Sequence, residues 1–442
     1  MRKKIKKVLT MGIVLSIMNS NIVPVFAVEN NEKMNVSKST QSYEKAGAIS
    51  TQIQNVQTIE VKKILTLGEA IKGAINNSDK LELKSKEIKM YEDKMDLQEK
   101  SNDFYKSIDQ KTYDFPYDKL EAQKNQTEQS KEFMEDQIAN DITNKYNDMV
   151  LKEIEINKSK RYLEFKKKDL DFMKGKLGLG MATPNEVNDA QIELKTLQND
   201  IKAKENLLND DKDYFKVLTE FDIKNTYELD HSINYKKFKI DGSIDGYIDG
   251  KIDKYLKYDT EMLKLTKDYM KDLKDDGIKD IMDKDTEKLP DKASNITVNA
   301  DGTNEFDSGS YALKLMEYQQ KQQEYLTRLN AYGEYIDGKY SVSEAKVKLD
   351  DTKENLKNAL KESYSTLLDL ESKIDNLKEQ VNSTNTKLSF AKAQVDMGLM
   401  LQNDYDKQLV GSEDLDISLR TLIYNYNSLS ASIEKPWIIS NK

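Results

Sequence analysis

Apolar residues recur along most of this chain at the spacing of three and four that marks one face of a helix. Two stretches, about 117–176 and about 311–396, keep a seven-residue apolar period. Because that period keeps one stripe facing a neighbouring helix, we predict an all-α fold of long antiparallel coiled-coil helices with little or no β structure. The heptad residues are Ile142, Met149, Ile156, Leu163, Leu170 and Leu177 in the first stretch and Leu360, Leu367, Ile374, Val381, Leu388 and Val395 in the second.

Local signals divide this pattern into separate helices. Thr66 and Glu69 have the spacing of a capping box, which predicts a helix start. Asn76 to Asp79 predicts a break, and Pro184 suits the first turn of a returning helix. We expect the later helices at about 251–282, about 311–396 with an interruption near Gly333 and Gly338, and 402–434.

The helices form an internal repeat. The segment that starts at Gly180 matches the segment that starts at Gly398, at an offset of 218, and the pattern after Ile71 matches that after Ile252, at an offset of 181. The second copy therefore contains about 37 additional residues. We predict repeat one at 63–222, a linker at 223–250, repeat two at 251–435 with an irregular insertion at about 283–310, and a tail at 436–442.

The first residues predict export. MRKKIKK is followed by a short apolar run and by Val25-Phe26-Ala27, which fits the small-x-Ala cleavage rule. We therefore predict a Sec-type signal peptide at 1–27 and a disordered polar leader at 28–62. Removing five positive charges and no acids takes the net charge from −9 to −14, so we expect no nucleic-acid partner and at most weak or indirect membrane association.

Composition leaves little material for chemistry. The chain has no Cys and one His, so thiol nucleophiles, Cys-ligated metals and Ser-His-Asp sites are not expected. His231 is interpreted as an exposed loop residue. The repeated Ile-Asp-Gly at 240–250 is oxygen-rich, as a calcium loop is, but its period of four favours helix caps in a charged linker. We predict no enzyme, cofactor or metal site.

Four segments together resemble the TolC family of outer-membrane efflux proteins. They are LTLGEAIKGAINNSDKLELKSKEI from Leu65, GMATPNEVNDAQIEL at 180–194, MGLMLQNDYDKQL at 397–409 and YNYNSLSASI at 424–433. The likeness extends over about 64–435. It implies a homotrimer whose tandem repeats build a helical tube, and a role in efflux or secretion from the cell envelope together with a membrane-fusion-type adaptor and an ABC or proton-driven transporter.

The resemblance also implies sites. The tip turns match the family's adaptor-docking turns, and Glu186 and Asp404 match its aperture acids. The second aperture acid of the family falls on Lys407, which departs from the pattern. The tip-turn residues are Leu179, Gly180, Met181, Met397, Gly398 and Leu399.

The family's membrane strands have no clear counterpart. Residues 104–116 are too short and too charged for two spanning strands, and Ile296 to Thr303 predicts only a small hairpin. We therefore expect a divergent member without the membrane β-barrel strands, and its Lys-, Asn- and Ile-rich composition favours a bacterium without an outer membrane. The alternative function is that of a structural or adhesive coiled-coil protein of the cell surface.

Overall fold

The computed structural model describes residues 62–299 and 302–438. The predicted signal peptide and all of the predicted leader except Lys62 lie outside these residues. Helices dominate the described part of the chain, as predicted. Their bounds are α1 Leu67–Asn76, α2 Asp79–Ser107, α3 Phe115–Gly178, α4 Pro184–Thr219, α5 Ile244–Tyr255, α6 Lys257–Asp275, α7 Ser308–Asp396 and α8 Gln402–Glu434, with short 3-10 helices at Ile278–Asp283, Ala293–Asn295 and Pro436–Ile438.

Strands are few and short in the described residues. Strand β1 (Lys63–Leu65) pairs in parallel with β2 (Tyr227–Leu229), and β3 (Ile296–Val298) pairs antiparallel with β4 (Asn304–Phe306). The second pair confirms the small hairpin expected in the insertion, although the turn residue Asp301 lies outside the described residues.

The chain divides into two compact units. Within the described residues, one unit consists of 79–134 and 241–360, and the other consists of 62–78, 135–240 and 361–438. We call them the first and the second unit, and each is described by itself.

The heptad residues form buried seams. On α3, Ile142, Met149 and Ile156 are each less than 5% exposed, and on α7 Leu367 and Ile374 are at most 1% exposed. Deleting such a side chain costs about 2–5 kcal/mol, so these seams account for much of the stability of the long helices. Helix α4 has a third seam that the sequence analysis did not recognise, made of Val187, Leu194, Ile201, Leu208 and Phe215.

A tyrosine joins the strand pair of the second unit to its helices. The Tyr146 hydroxyl donates to the Leu65 carbonyl at 2.6 Å and accepts from the Asp230 amide at 2.6 Å. Its ring is 3% exposed and packs in the core that contains Phe215. Burial raises the pKa of Tyr146 to about 12, so the hydroxyl stays a donor at neutral pH.

The linker predicted at 223–250 is shorter in the structure, because its last residues belong to a helix. Helix α5 begins at Ile244, not at 251, because the Ser243 side chain accepts from the Gly246 amide and caps it. The Ile-Asp-Gly period of four places Ile244, Ile248 and Ile252 on one helical face, and the last two are at most 3% exposed. The run is therefore a core helix with a polar outer face.

The predicted interruption of α7 and the predicted surroundings of His231 also differ from the structure. Helix α7 continues through Gly333 and Gly338 without interruption, because the flanking Ala331 and Tyr335 are buried and offset the weak helix propensity of glycine, about 1 kcal/mol per residue. His231 is not a plain loop residue either. Its Nε2 lies 2.8 Å from Glu153 Oε2, and its carbonyl accepts from the Arg420 guanidinium at 2.8 Å.

Candidate functional site at the helix tips

The two predicted tip turns have the same backbone geometry. Gly180 and Gly398 both have φ +73°, a left-handed conformation that glycine adopts without strain. In the first turn the Met181 amide donates to the Lys176 carbonyl at 2.8 Å, and in the second the Leu399 amide donates to the Gln394 carbonyl at 2.8 Å. This six-to-one bond is the Schellman motif, which ends a helix and reverses the chain.

Each turn exposes apolar side chains. Leu179, Met181, Met397 and Leu399 are between 64% and 77% exposed. Side chains at these positions lie outside the packed helix seams, so their apolar character is not explained by the core of the second unit. Contiguous exposed apolar patches are a common feature of interaction surfaces.

The two predicted aperture acids occupy the same helix position but differ in their surroundings. Glu186 completes a capping box at the start of α4: its carboxylate accepts from the Thr183 amide at 2.7 Å and from the Thr183 hydroxyl at 3.0 Å. These bonds lower the pKa of the Glu186 carboxyl. The family resemblance places Glu186 at an aperture, and its role in the cap was not predicted.

Asp404 lies in the first turn of α8 and is exposed. The residue equivalent to Thr183 is Leu401, which makes no side-chain cap hydrogen bond. The acid of the second tip is therefore not held in a capping box. Lys407, which replaces the family's second acid, is exposed one turn further along α8.

Helices α3, α4 and α8 are connected by ion pairs in the second unit. Lys160 of α3 pairs with Glu205 of α4 at 2.7 Å. Arg161 of α3 donates two hydrogen bonds to the Glu413 carboxylate of α8, one of 2.8 Å from Nε and one of 2.5 Å from a terminal nitrogen. Bidentate pairs of this type fix orientation as well as distance. Helix α3 is thus held between α4 and α8.

A groove of about 460 Å³ follows α3 between these two helices. Tyr162, Val410 and Ile417 supply its apolar part, while Lys158 and Asp414 contribute charge at its edge. The groove has no local signal in the sequence, because its walls come from residues about 250 positions apart.

The second tip also contains an unsatisfied polar atom. Asn403 donates weakly to Asp169 at 3.4 Å, and its side-chain oxygen is buried without a hydrogen-bond partner among the described residues. A buried acceptor left unpaired costs about 1–3 kcal/mol, so the contact between α3 and α8 is weakened at this point.

Comparisons with known proteins agree with this architecture. No model of a known protein family matches the sequence, and no characterised protein matches it in sequence. One similar solved structure is that of CusC, whose study concerns conformational changes during folding and transmembrane channel formation. Its TM-score is 0.52, and the 11% identity extends over 84% of this chain and 91% of that chain.

The CmeC outer membrane channel of Campylobacter jejuni is similar with a TM-score of 0.50 and 13% identity, over 85% of this chain and 86% of that chain. At these identities the likeness concerns the fold, and the chain has a TolC-like fold. Within the described residues, no helix combines the length and the apolar character that crossing a membrane requires.

Proposed function

We propose, from the TolC-like fold, that this protein is the conduit component of an efflux or secretion system in the cell envelope. The observation that carries the proposal is the pair of equivalent tips, each with a left-handed glycine and exposed apolar side chains, on a fold shared with CusC and CmeC. In this proposal three copies close a helical tube, and cargo moves through its lumen.

The tips dock a membrane-fusion-type adaptor, which links the tube to an ABC or proton-driven transporter. Leu179, Met181, Met397 and Leu399 supply apolar contacts, and the Schellman turns present them on rigid backbone. The groove along α3 suits an amphipathic partner helix, because an apolar floor with charged edges is what helix-in-groove recognition uses.

Asp404 is the acid that lines the constriction in this proposal. It is exposed and lies at an uncapped helix start, whereas Glu186 is held by Thr183. We assign Glu186 mainly to the geometry of the first tip and Asp404 to the aperture. Opening follows from separation of the tip helices, at the weakened α3–α8 contact beside Asn403.

The proposal is tested by deleting the gene in its host. Accumulation of a fluorescent cationic dye and the set of secreted proteins are both measured. We expect the wild-type gene to restore normal dye accumulation or normal secretion. The double variant Leu179→Asp, Leu399→Asp should be exported and folded but should not restore either of them.

The matched control is Leu289→Asp, which charges a residue of similar exposure (63%) outside the tips. It should restore transport fully. A deletion strain with normal dye efflux and normal secretion but reduced surface adhesion contradicts the conduit and supports the adhesive rod.

A further inference from the structure

A cavity of about 260 Å³ lies within the first unit. Its walls come from the connection between α2 and α3, from the end of α6 with the 3-10 helix that follows it, and from α7. Pockets that hold drug-sized molecules have volumes of about 300–1,000 Å³. The size of this cavity therefore suits a smaller ligand.

One part of the cavity wall is apolar and closely packed. Leu273, Ile281 and Ala331 line it, and each is at most 4% exposed. Tyr113 also lines the cavity, and its ring meets the buried Tyr269 ring edge-on, with 5.3 Å between the ring centroids. These side chains offer a fixed surface to the apolar part of a ligand.

The turn after α6 shapes a second part of the wall. Gly277 has φ +75°, a left-handed conformation that favours glycine. A side chain at this position would begin 2.5 Å from a carboxylate oxygen of Asp280, which folds back over the turn. Glycine is therefore required to keep Asp280 and the start of the 3-10 helix in this position.

Cationic side chains outnumber acidic ones in the lining, which contains Lys111, Lys284, Arg328, Asp276 and Asp280. Lys111 forms an ion pair with Asp276, and the Tyr113 hydroxyl donates to the same carboxylate at 2.6 Å. That pair accounts for one cation and one acid. It leaves Lys284 and Arg328 against Asp280, so the remaining charge of the lining is positive.

Arg328 brings an unused hydrogen-bond donor to the cavity. Its Nε is buried and has no hydrogen-bond partner among the described residues. A terminal nitrogen of the same guanidinium pairs with Glu324 at 2.9 Å, one turn earlier on α7. A buried charged donor without an acceptor destabilises the fold, and an anion that accepts from it removes that loss. The planar guanidinium fork matches the geometry of a carboxylate.

We infer that this cavity binds a small organic acid. The carboxylate of the acid accepts from Arg328, and its short apolar chain packs on Leu273, Ile281 and Ala331. Lys284 adds a second positive charge for the carboxylate. This site is independent of the proposed conduit, because all of its walls belong to the first unit of a single chain.

Two other kinds of small ligand use only half of the cavity. Inorganic phosphate meets Arg328 and Lys284 but leaves the apolar wall without a partner. An alkylamine contacts the apolar wall but places another positive charge beside the guanidinium, which is unfavourable. A carboxylate with an apolar chain satisfies both parts of the wall.

Titration calorimetry of the purified full chain with sodium acetate, butyrate and hexanoate tests the site. We expect saturable binding that tightens about four-fold for each added methylene, because each methylene moves from water to the apolar wall. Hexanoate should also raise the melting temperature, since a ligand that binds only the folded state stabilises it. Inorganic phosphate should bind at least about ten-fold more weakly than hexanoate, and hexylamine should not bind.

The variant Arg328→Met tests the assigned donor. It keeps a long side chain but has no donor, so its affinity for hexanoate should fall at least about ten-fold. Without ligand, its melting temperature should equal or exceed that of the wild type, because the variant removes a buried donor that lacks an acceptor. Lys346→Met, an exposed change on the same helix, is the matched control and should bind hexanoate as the wild type does.

A further ligand separates a free acid from the end of a peptide. N-acetylleucine has a carboxylate beside an amide, and it should bind more weakly than hexanoate because its amide would lie against the apolar wall. Tighter binding of N-acetylleucine contradicts the free acid. The site itself is overturned by absence of hexanoate binding, by phosphate binding as tight as that of hexanoate, or by unchanged hexanoate affinity in Arg328→Met.

Discussion

At the scale of single residues, Asp259 is the clearest case of a side chain whose burial has a measurable consequence. It is 7% exposed in the first turn of α6 and accepts from the Gln126 amide. Desolvation raises its pKa to about 6, from 3.8. The folded protein therefore holds its proton more tightly than the unfolded chain.

This shift makes stability depend on pH with a definite sign. Between about pH 4 and 6 the native state binds more protons than the unfolded state, so the free energy of unfolding falls as pH rises through this window and stays low above it. The whole pKa shift of Asp259 corresponds to a loss of about 3 kcal/mol in the free energy of unfolding at most.

We predict that Asp259→Asn raises the free energy of unfolding at pH 7.5 by about 1–2 kcal/mol and by less at pH 4.5. Urea denaturation at the two pH values measures it. Asp268→Asn, an exposed change on the same helix, is the control and should leave the pH dependence as in the wild type. Equal effects of Asp259→Asn at both pH values contradict the assignment.

The sequence predicts which residues form the tip turns, but it does not predict which side chains surround them. The glycines Gly180 and Gly398 stand out as helix-ending signals at a fixed offset, and the structure gives them the same φ. The capping role of Glu186 follows from the Thr-Pro-x-Glu spacing and was available as a signal. By contrast, the pair Arg161–Glu413 joins residues 252 positions apart, and nothing local in the sequence indicates it.

At the scale of elements, helix starts and heptad seams explain most of the architecture. The two tips offer a natural comparison, because Thr183 caps α4 while the equivalent Leu401 does not cap α8. The first turn of α4 therefore depends on a side chain that the first turn of α8 lacks.

We predict that Thr183→Ala destabilises the first turn of α4 by about 1 kcal/mol. Amide hydrogen exchange at residues 185–187 should become about five-fold faster. Leu401→Ala, the equivalent change in the second tip, removes no cap and should leave exchange at 403–405 nearly unchanged. Similar acceleration in both tips is the result that contradicts a specific capping role.

The heptad seams predict a larger change in the free energy of unfolding than the helix cap does. Ile374 is fully buried on α7, so Ile374→Ala should lower the free energy of unfolding by about 2–5 kcal/mol. Lys387→Ala, an exposed change on the same helix, should change it by less than about 0.5 kcal/mol. Chemical denaturation compares the two variants, and equal losses contradict the seam.

Long elements were predictable from the sequence because many residues share one period, and short elements were not. The seven-residue period predicts α3 and α7 from six heptad residues each. Helix α5 has only three isoleucines at a spacing of four, which was interpreted as a linker. Glycines at 333 and 338 suggested a break that packing of Tyr335 prevents. Burial of one helical face therefore outweighs the weak helix propensity of individual residues.

At the scale of the whole molecule, the element order repeats within one chain. A short strand, a helix, a second helix, a long helix, a tip and a returning helix occur twice, and the strands β1 and β2 that open the two copies pair with each other. This duplication accompanies the TolC-like fold that the chain shares with CusC and CmeC.

In the proposed function, copies of this chain close a helical tube. Native mass measurement of the purified mature protein, combined with electron microscopy of the same sample, tests it most directly. We predict a mass of three chains and a closed ring of helices around a lumen. A monomer at micromolar concentration, or a two-stranded rod without a lumen, contradicts the claim.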